Sequence, residues 1–202
     1  MPKVRMPKGD IAVPDNYFKL NSAPGDPPCS IPLGSESSGY QAFIMVYPIH
    51  MSEAMPFGHP QTLISGIHNQ LDENQGLIAV KEGKTKIGRN FMYSIIKSFD
   101  DKEIKNQYNL TLHIFYDTYA VNITGFFDEA GVTGVRETQA YIALRNEGII
   151  AGRDDWCKDP YDANYIKGHL MNRSEDERFD AVFPEHPLSE ARRFASFIIT
   201  NN

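Results

Sequence analysis

Three histidines, His50, His59 and His68, recur at intervals of nine residues and are the first candidates for a metal site. Zinc sites draw imidazole and thiolate ligands from closely spaced positions on one or two elements. These histidines fall instead at a predicted strand end, in a proline-rich loop and on a predicted helix, with no cysteine or carboxylate at ligand spacing. We therefore predict that the interval is accidental and that no metal binds there.

Four aspartates lie close together in the last third of the chain, at positions Asp154, Asp155, Asp159 and Asp162. Carboxylate oxygens are the ligands that calcium prefers. The spacing lacks the ligand order of an EF-hand loop and its closing glutamate, and Pro160 interrupts the segment. We predict a solvated acidic loop, with cation binding as the alternative that the sequence leaves open.

Nucleophilic catalysis has few candidates in this sequence. A serine hydrolase of the common type needs the pattern Gly-x-Ser-x-Gly at a strand-to-helix turn, and neither Ser35 nor Ser65 stands in it. Cys157 could act with a histidine, but the neighbouring aspartates disfavour its thiolate. Cys29 and Cys157 lie far apart, and we expect two reduced thiols. His113 is predicted to be a hydrogen-bonded sheet histidine rather than a catalytic base.

Phosphate binding is also not indicated. Gly131 and Gly134 precede a predicted helix, whose N-terminus could attract an anion. The segment lacks the lysine and the third glycine that nucleotide-binding loops use, so we predict a tight connection capped by Thr133. His186 is assigned to the turn that leads into the last helix. The sequence therefore predicts no catalytic residue, no metal and no cofactor.

Aromatic side chains in the charged C-terminal segment are the strongest candidates for an interaction surface. Large, stiff aromatic side chains bury much area at little entropic cost, which suits an interface. The alternative is that they fold this segment back onto the sheet. The candidates are Trp156, Tyr161, Tyr165, Phe179 and Phe183.

Composition narrows the class of protein. The chain has 202 residues, a net charge of -6 and 41% hydrophobic residues, values of an ordinary globular protein. The acidic balance argues against a nucleic-acid partner. No apolar run reaches the roughly 18 residues of a membrane span, and the basic N-terminus leads into Gly9 and Asp10 instead of an apolar stretch. We expect a soluble cytoplasmic protein.

The periodicity of the apolar residues predicts an antiparallel sheet with helices packed on it, an α+β fold. A strand over residues 41–49 is expected to be covered on both faces. A helix over 60–71 follows, then a meander of strands over 77–80, 91–99, 108–116 and 119–127, with a turn at Gly83. A second helix ends at Gly148, and a third begins at Pro187 with Arg192 and Arg193 facing solvent.

The chain is expected to form a single domain over residues 1–202 with three parts. Residues 1–39 are rich in turn formers and contain short edge strands at 11–14 and 17–20. Residues 40–150 form the core sheet and two helices, and residues 151–202 form an acidic tail with the last helix.

The stretch 63–143 resembles the family of domains related to photosystem II protein PsbP, Mog1 and DcrB. The resemblance lies in a helix followed by the segments Gly76-Leu77-Ile78, GRNFMYSIIK at 88–97 and QYNLTL at 107–112, then a short strand and a closing helix. It implies a non-enzymatic α-β-α sandwich that acts by docking to partners. No residue that contacts a partner in that family can be matched here, and the tail over 153–187 departs from the family's minimal domain.

The leading hypothesis is therefore a non-catalytic protein-binding or scaffolding domain, with a protein partner or a second copy of itself. It predicts a compact core without a deep polar pocket, and an exposed apolar or aromatic patch. One rival is a small hydrolase with its site between the sheet and the tail, which requires a pocket where titratable groups with displaced pKa values converge. The other rival is a carrier with an apolar cavity for a small ligand.

Overall fold

The described part of the chain, residues 3–6, 9–152 and 155–202 of a computed structural model, has an α+β fold. The strands are β1 (Lys3–Met6), β2 (Gly9–Ala12), β3 (Phe18–Lys19), β4 (Ile31–Glu36), β5 (Tyr40–Ile49), β6 (Gln75–Lys84), β7 (Asn90–Asp100), β8 (Lys105–Phe115) and β9 (Ala120–Glu129). The helices are α1 (Pro60–Gln70), α2 (Val135–Asn146) and α3 (Pro187–Asn201). The predicted antiparallel sheet with helices packed on it is confirmed.

Seven strands form the main sheet in the order β3-β4-β5-β9-β8-β7-β6, and every neighbouring pair is antiparallel. The last four strands along the chain are a meander because short turns join them. Before the meander, the chain crosses from β5 through α1 to the far edge at β6. It then returns strand by strand until β9 pairs with β5. β1 and β2 form a separate two-stranded sheet.

The main core lies between one face of the sheet and α3. Alternation along β8 directs Tyr108, Leu110, Leu112 and Ile114 to this face, and all four are fully buried. Helical spacing gives α3 the matching apolar stripe, on which Phe194 is fully buried. Burying one such phenylalanine stabilises the fold by about 2–3 kcal/mol, so this layer supplies much of the stability.

The opposite face of the sheet is covered in part only. Its helix is α1, which contacts β6 and forms a smaller apolar cluster from Ile64, Leu77, Val80 and Met92. Among the described residues, the strands at the other side of the sheet have no such cluster, and Phe43 on β5 is 38% exposed. The prediction that residues 41–49 are covered on both faces is therefore wrong. The strand has a continuous apolar run because one of its faces packs in the core and the other forms an exposed apolar patch.

Several local predictions also need correction. The hairpin turn at Gly83 lies inside β6, which continues to Lys84. Gly134, with a positive φ of 75°, is the residue before α2 in place of the predicted cap Thr133. The strand predicted at 11–14 is β2 (Gly9–Ala12), which pairs with β1 alone. Arg192 does not face solvent, because its guanidinium donates to Asp180 Oδ1 at 3.1 Å.

The segment between α2 and α3 lies along the outer edge of β6. His169 donates its backbone amide to Gln75 O at 2.8 Å, and the Tyr161 hydroxyl donates to Val80 O at 3.2 Å. Gly76 permits the approach, since a Cβ there would lie 2.0 Å from the His169 carbonyl oxygen. The segment thus occupies backbone groups of an edge strand that would otherwise be open to pairing with another chain. Among the described helices, none is long and apolar enough to cross a membrane.

Candidate functional site

One face of the sheet carries a row of exposed aromatic side chains. Phe18, Phe43 and Phe126 are 53%, 38% and 37% exposed. Gly34 on β4 lies opposite both Phe18 and Phe43 in the strand register. Phe43 in turn lies opposite Phe126, and their rings stack with centroids 6.5 Å apart. We call the surface formed by Phe18, Gly34, Phe43 and Phe126 the open sheet face.

The sequence builds this row from positions that alternate with the main core. Ala42 and Ile44 flank Phe43 and are buried toward α3, so the period of two directs Phe43 to the opposite face. Gly34 leaves room for a neighbouring ring, since a Cβ there would lie 3.2 Å from the Phe18 ring. The α1 cluster extends to Phe115 at the end of β8 and leaves the aromatic row exposed.

Acidic groups border the open sheet face on one side. The next row of the same face, two residues along each strand, contains Glu36, Gln41 and Asp128 as register partners. Glu36 is exposed, and Asp128 is half-buried with its Oδ1 accepting a hydrogen bond from Gln107 Nε2 at 2.8 Å. The surface therefore combines an apolar centre with a negatively charged rim.

Three of the five predicted interaction residues pack together beside α2. Phe179 is buried in a cluster with Ala140 and Leu144, and Trp156 and Phe183 pack against that cluster. The Trp156 ring meets the Tyr141 ring edge-on, with centroids 5.2 Å apart. These side chains join the tail to α2.

The other two predicted residues hold the tail against β6 and α1. The Tyr161 hydroxyl bonds to the backbone of Val80, and the ring is 39% exposed. The Tyr165 ring stacks on His68 with centroids 4.1 Å apart, and its hydroxyl donates to the His68 carbonyl oxygen at 3.2 Å. The five aromatic residues thus lie in two places, three beside α2 and two against β6 and α1. Partner binding by them stays a prediction.

A pocket of about 520 Å³ lies between the sheet, the start of α2 and the tail. Titratable or nucleophilic residues of its wall are Lys97, Glu129, Glu137, Cys157 and His169. Burial raises the pKa of Glu137, and the carboxylates of Glu129 and Glu175 add to the rise. Burial, with the charge of Lys97, lowers the pKa of His169. We call it the sheet–tail pocket; it contains two groups with displaced pKa values.

Beside this pocket, Glu129, Glu137 and His186 bring one potential ligand atom each within 4.8 Å of one another. Two carboxylates and an imidazole would suit a divalent transition metal. However, His186 Nδ1 accepts the Leu188 amide hydrogen at 3.2 Å, which places the proton of the neutral ring on Nε2. Nε2 lies 3.6 Å from Glu129 Oε1 and faces the carboxylates as a donor. These residues therefore do not fit a metal site in this arrangement.

A buried ion pair lies behind the same pocket. Lys97 Nζ donates to both carboxylate oxygens of Glu175 at 3.1 and 3.0 Å, and both side chains are fully buried. The Tyr108 hydroxyl and the backbone amide of Asn172 donate to the same carboxylate at 3.0 and 2.7 Å. This network is saturated with hydrogen bonds, so it serves to fix the tail rather than to supply a free nucleophile. Sequence reasoning missed it, although Lys97 stands at an inward position of the alternating strand β7.

The predicted histidine candidates have separate surroundings. His50 caps a 3₁₀ turn by accepting the Ser52 amide hydrogen, and His59 is exposed. His68 Nε2 lies 2.9 Å from the buried Asp159 Oδ2. His113 is hydrogen-bonded at both ring nitrogens, to the Met55 amide and to Asn122 Oδ1, which confirms the predicted sheet histidine.

The aspartate side chains of the acidic segment accept hydrogen bonds from backbone amides close by in the sequence. Asp159 Oδ1 accepts the amide hydrogens of Tyr161 and Asp162 at 2.9 and 2.8 Å, and Asp155 Oδ2 accepts those of Ala151 and Gly152. The prediction of a solvated loop is wrong for Asp159, which is 5% exposed. Asp154 lies outside the described residues. Cys29 and Cys157 are both exposed and form no disulfide.

Comparison with known proteins gives a distant structural likeness. No family model and no curated protein matches the chain. A solved structure with some likeness is that of PA94 from Pseudomonas aeruginosa, a protein of unknown function that has been suggested to be a regulator. The two are 12% identical, the match covers 76% of this chain and 97% of the other, and the TM-score is 0.35.

Proposed function

We propose that this chain is a non-catalytic protein-binding domain and that the open sheet face is its docking surface. The observation that carries the proposal is the row of Phe18, Phe43 and Phe126, which is exposed to solvent although all three side chains are apolar. A monomeric protein rarely leaves contiguous aromatic side chains in water unless they bind something. Stiff aromatic rings at the centre of a surface are also the side chains that contribute most to interfaces.

The partner is a different protein whose contact surface has an apolar centre and basic residues at one border. The apolar centre follows from the aromatic row, and the basic border from Glu36 and Asp128. Two copies of this chain packed face to face with their acidic borders aligned would bring these rims together, and like charges across an interface oppose association. The open sheet face therefore favours a heterologous partner over a second copy.

The test is affinity capture with the full chain and a double variant, Phe43→Ser with Phe126→Ser. We expect one partner to be enriched by the native chain and lost with the variant, because two of the three aromatic side chains of the row are removed. Ile142→Ser is the matched control, since Ile142 is 54% exposed on α2, outside this surface. Hydrogen exchange of the purified complex should then show protection at β5 and β9.

Equal capture by the native chain and the double variant would overturn the docking surface. So would protection confined to the tail around Trp156 and Tyr161, which would favour the sequence-predicted aromatic residues instead. Weaker capture at high salt is expected as well, because the acidic rim contributes electrostatic attraction that salt screens.

A second candidate function is a small hydrolase that uses the sheet–tail pocket. The observation in its favour is the presence there of Glu137 with a raised pKa and His169 with a lowered pKa. Purified protein should then hydrolyse some member of a panel of ester, amide and phosphate ester substrates. Glu137→Gln and His169→Gln should each abolish that activity. Activity that both variants retain would exclude this pocket as the site.

We also propose that the chain is related to the PsbP/Mog1/DcrB-like domains and works in the cytoplasm. The order of α1, the β6–β9 meander and α2 supports the first proposal, because the resemblance rests on that order. Cys29 and Cys157 are exposed and not joined by a disulfide, which supports the second, since a reducing compartment preserves thiols. Fractionation of cells with an antibody to the native protein tests the compartment.

A further inference from the structure

A second concave surface lies at the end of the sheet where the β6–β7 hairpin and the β8–β9 turn meet. It is an open cleft of about 680 Å³, a volume that small-molecule sites commonly have. Lys84 and Arg89 come from the hairpin, and Tyr116 comes from the β8–β9 turn. We call it the hairpin cleft. It is separate from the open sheet face and from the sheet–tail pocket.

The Arg89 guanidinium is held in place by an aromatic stack. Its Nη1 donates to the Tyr116 hydroxyl at 3.1 Å, and its central carbon lies 4.2 Å from the centre of the Tyr116 ring. Tyr116 stacks in turn on Tyr119 with centroids 4.6 Å apart. At the backbone, Thr85 donates its amide to Arg89 O at 2.7 Å and closes the hairpin. The cation is thus positioned before any ligand arrives, which lowers the entropic cost of binding.

The cleft holds cations that lack acidic partners. Within the described residues, neither Lys84 nor Arg89 has a carboxylate at ion-pair distance, whereas Arg136, Arg192 and Arg193 each have one. Asp117 also lines the cleft. Its negative charge offsets only one of the two cations, so the cleft keeps a net positive charge. In a chain of net charge -6, two unpaired cations beside one cleft indicate an anionic ligand.

One wall of the cleft is apolar. Met51, Met55 and Phe57 line it from the loop after β5. This wall is fixed, because the Met55 amide donates to His113 Nδ1 at 2.9 Å and the Phe57 ring contacts the Phe115 ring at a centroid distance of 5.5 Å. Methionine side chains adapt to ligands of varied shape. A ligand must therefore have an apolar body as well as a charge.

We propose that the hairpin cleft binds a small organic carboxylate whose apolar body lies against Met51, Met55 and Phe57. A guanidinium stacked on a tyrosine keeps an N–H edge free, and a planar carboxylate can accept two hydrogen bonds from such an edge. Lys84 supplies a second positive charge at the mouth. The inference goes beyond the proposed function, since protein docking uses the row of Phe18, Phe43 and Phe126, none of which lines this cleft.

The test is calorimetric titration of the full chain with octanoate, with octanamide as the uncharged probe of similar size. We expect saturable binding of one octanoate per chain and at least tenfold weaker binding of octanamide. Arg89→Met should weaken octanoate binding about ten- to a hundredfold, the effect of losing a charge-assisted hydrogen-bond pair. Lys84→Met should weaken it less, because Lys84 is more exposed.

Two controls keep the result interpretable. Lys19→Met removes an exposed cation of β3, outside the cleft, and should leave the affinity unchanged. The Phe43→Ser and Phe126→Ser double variant should also bind octanoate normally, so that failure here is distinguishable from failure of the docking surface. Equal affinity for octanoate and octanamide would overturn the proposal. The proposal would also be overturned if both Lys84→Met and Arg89→Met left the octanoate affinity unchanged. The absence of saturable octanoate binding would overturn it as well.

Discussion

His113 shows how the sheet accommodates a buried titratable residue. The ring lies on β8 under the loop after β5, and both ring nitrogens have partners. Burial lowers the pKa of His113 to about 4 from an ordinary 6.5, since the apolar surroundings disfavour the imidazolium. The residue is therefore neutral at physiological pH and makes the fold sensitive to acid.

The first prediction concerns this acid sensitivity. Between pH 6.5 and 4 the unfolded chain takes up a proton at position 113 that the folded chain does not, so stability falls as the pH falls. Between pH 7 and pH 5, the unfolding free energy of native protein should fall by about 2 kcal/mol more than that of His113→Gln. Urea denaturation of both proteins at each pH measures the difference. His59→Gln, at an exposed site, is the control, and parallel pH curves for native protein and His113→Gln would contradict the prediction.

Glu137 gives the second prediction, with the opposite dependence on pH. Its pKa is raised, so its contribution to stability is complete below about pH 4.5 and is lost as the pH rises through the folded value. Both carboxylate oxygens are buried and, within the described residues, accept no hydrogen bond from another residue. Glu137→Gln removes the buried charge and should raise the unfolding free energy at pH 7 by about 1–3 kcal/mol.

The gain from Glu137→Gln should shrink as the pH approaches 4.5, where the native carboxyl takes up its own proton. Thermal unfolding of native and variant protein from pH 4.5 to 8 measures this convergence. A variant less stable than native protein at pH 7 would show that the ionised carboxylate has a favourable partner, such as the Nε2 proton of His186.

At the scale of elements, the tail is the part whose position depends most on polar contacts. The segment between α2 and α3 has short 3₁₀ turns at Arg173–Glu175 and Glu177–Phe179 and is attached by side chains from several directions. Glu175 closes a capping box with Asn172 and reaches Lys97 on β7. Arg136 on α2 donates to the Ser174 carbonyl oxygen at 2.7 Å. Removing one partner of the buried pair should therefore loosen the whole segment.

The third prediction is that Lys97→Met lowers the unfolding free energy by about 3–5 kcal/mol, because it leaves the buried Glu175 carboxylate without its counter-charge. The double variant Lys97→Met with Glu175→Gln should cost less than Lys97→Met alone, since no unpaired charge remains. Lys105→Met is the control, as its pairing with Glu103 is at the surface. A cost of Lys97→Met under about 1 kcal/mol, the scale of an exposed pair, would contradict this role.

The elements differ in how far the sequence predicted them. Long strands with a period of two, such as β7 and β8, and helices with an apolar stripe, such as α1, were predicted within a few residues. β4 was missed because Pro32 and Gly34 are unfavourable in strands, and its pairing with β5 outweighs that cost. The open sheet face was missed for a related reason: exposed Phe43 and buried Ile44 are both apolar, so hydrophobicity alone cannot assign their faces.

At the scale of the whole molecule, contacts between distant parts of the chain decide which surfaces remain free. The Asn202 side chain bonds to the backbone of Ala12 at 2.7 and 3.1 Å, which joins the end of α3 to β2. The tail occupies the edge of β6. These contacts link residues up to 190 positions apart, so local sequence patterns could not predict them. They leave the open sheet face and the hairpin cleft accessible.

The acidic rim should keep the open sheet face from pairing with its own copy, which leads to the fourth prediction. Glu36→Gln with Asp128→Asn removes the like charges that would meet in a face-to-face dimer, while the asparagine keeps an acceptor for Gln107. The aromatic row is unchanged, so this variant should self-associate about tenfold more tightly than native protein. Sedimentation velocity over a range of concentrations measures the difference.

Adding Phe43→Ser and Phe126→Ser to the neutral-rim variant should abolish the gained association, because the apolar driving force is then absent. Native protein should also associate more at high salt, where the rim charges are screened. The neutral-rim variant should not change with salt. If that variant stays as monomeric as native protein, or if native protein is already a salt-independent dimer through this face, the rim does not select against self-pairing. The case for a basic, heterologous partner would then lose its electrostatic argument.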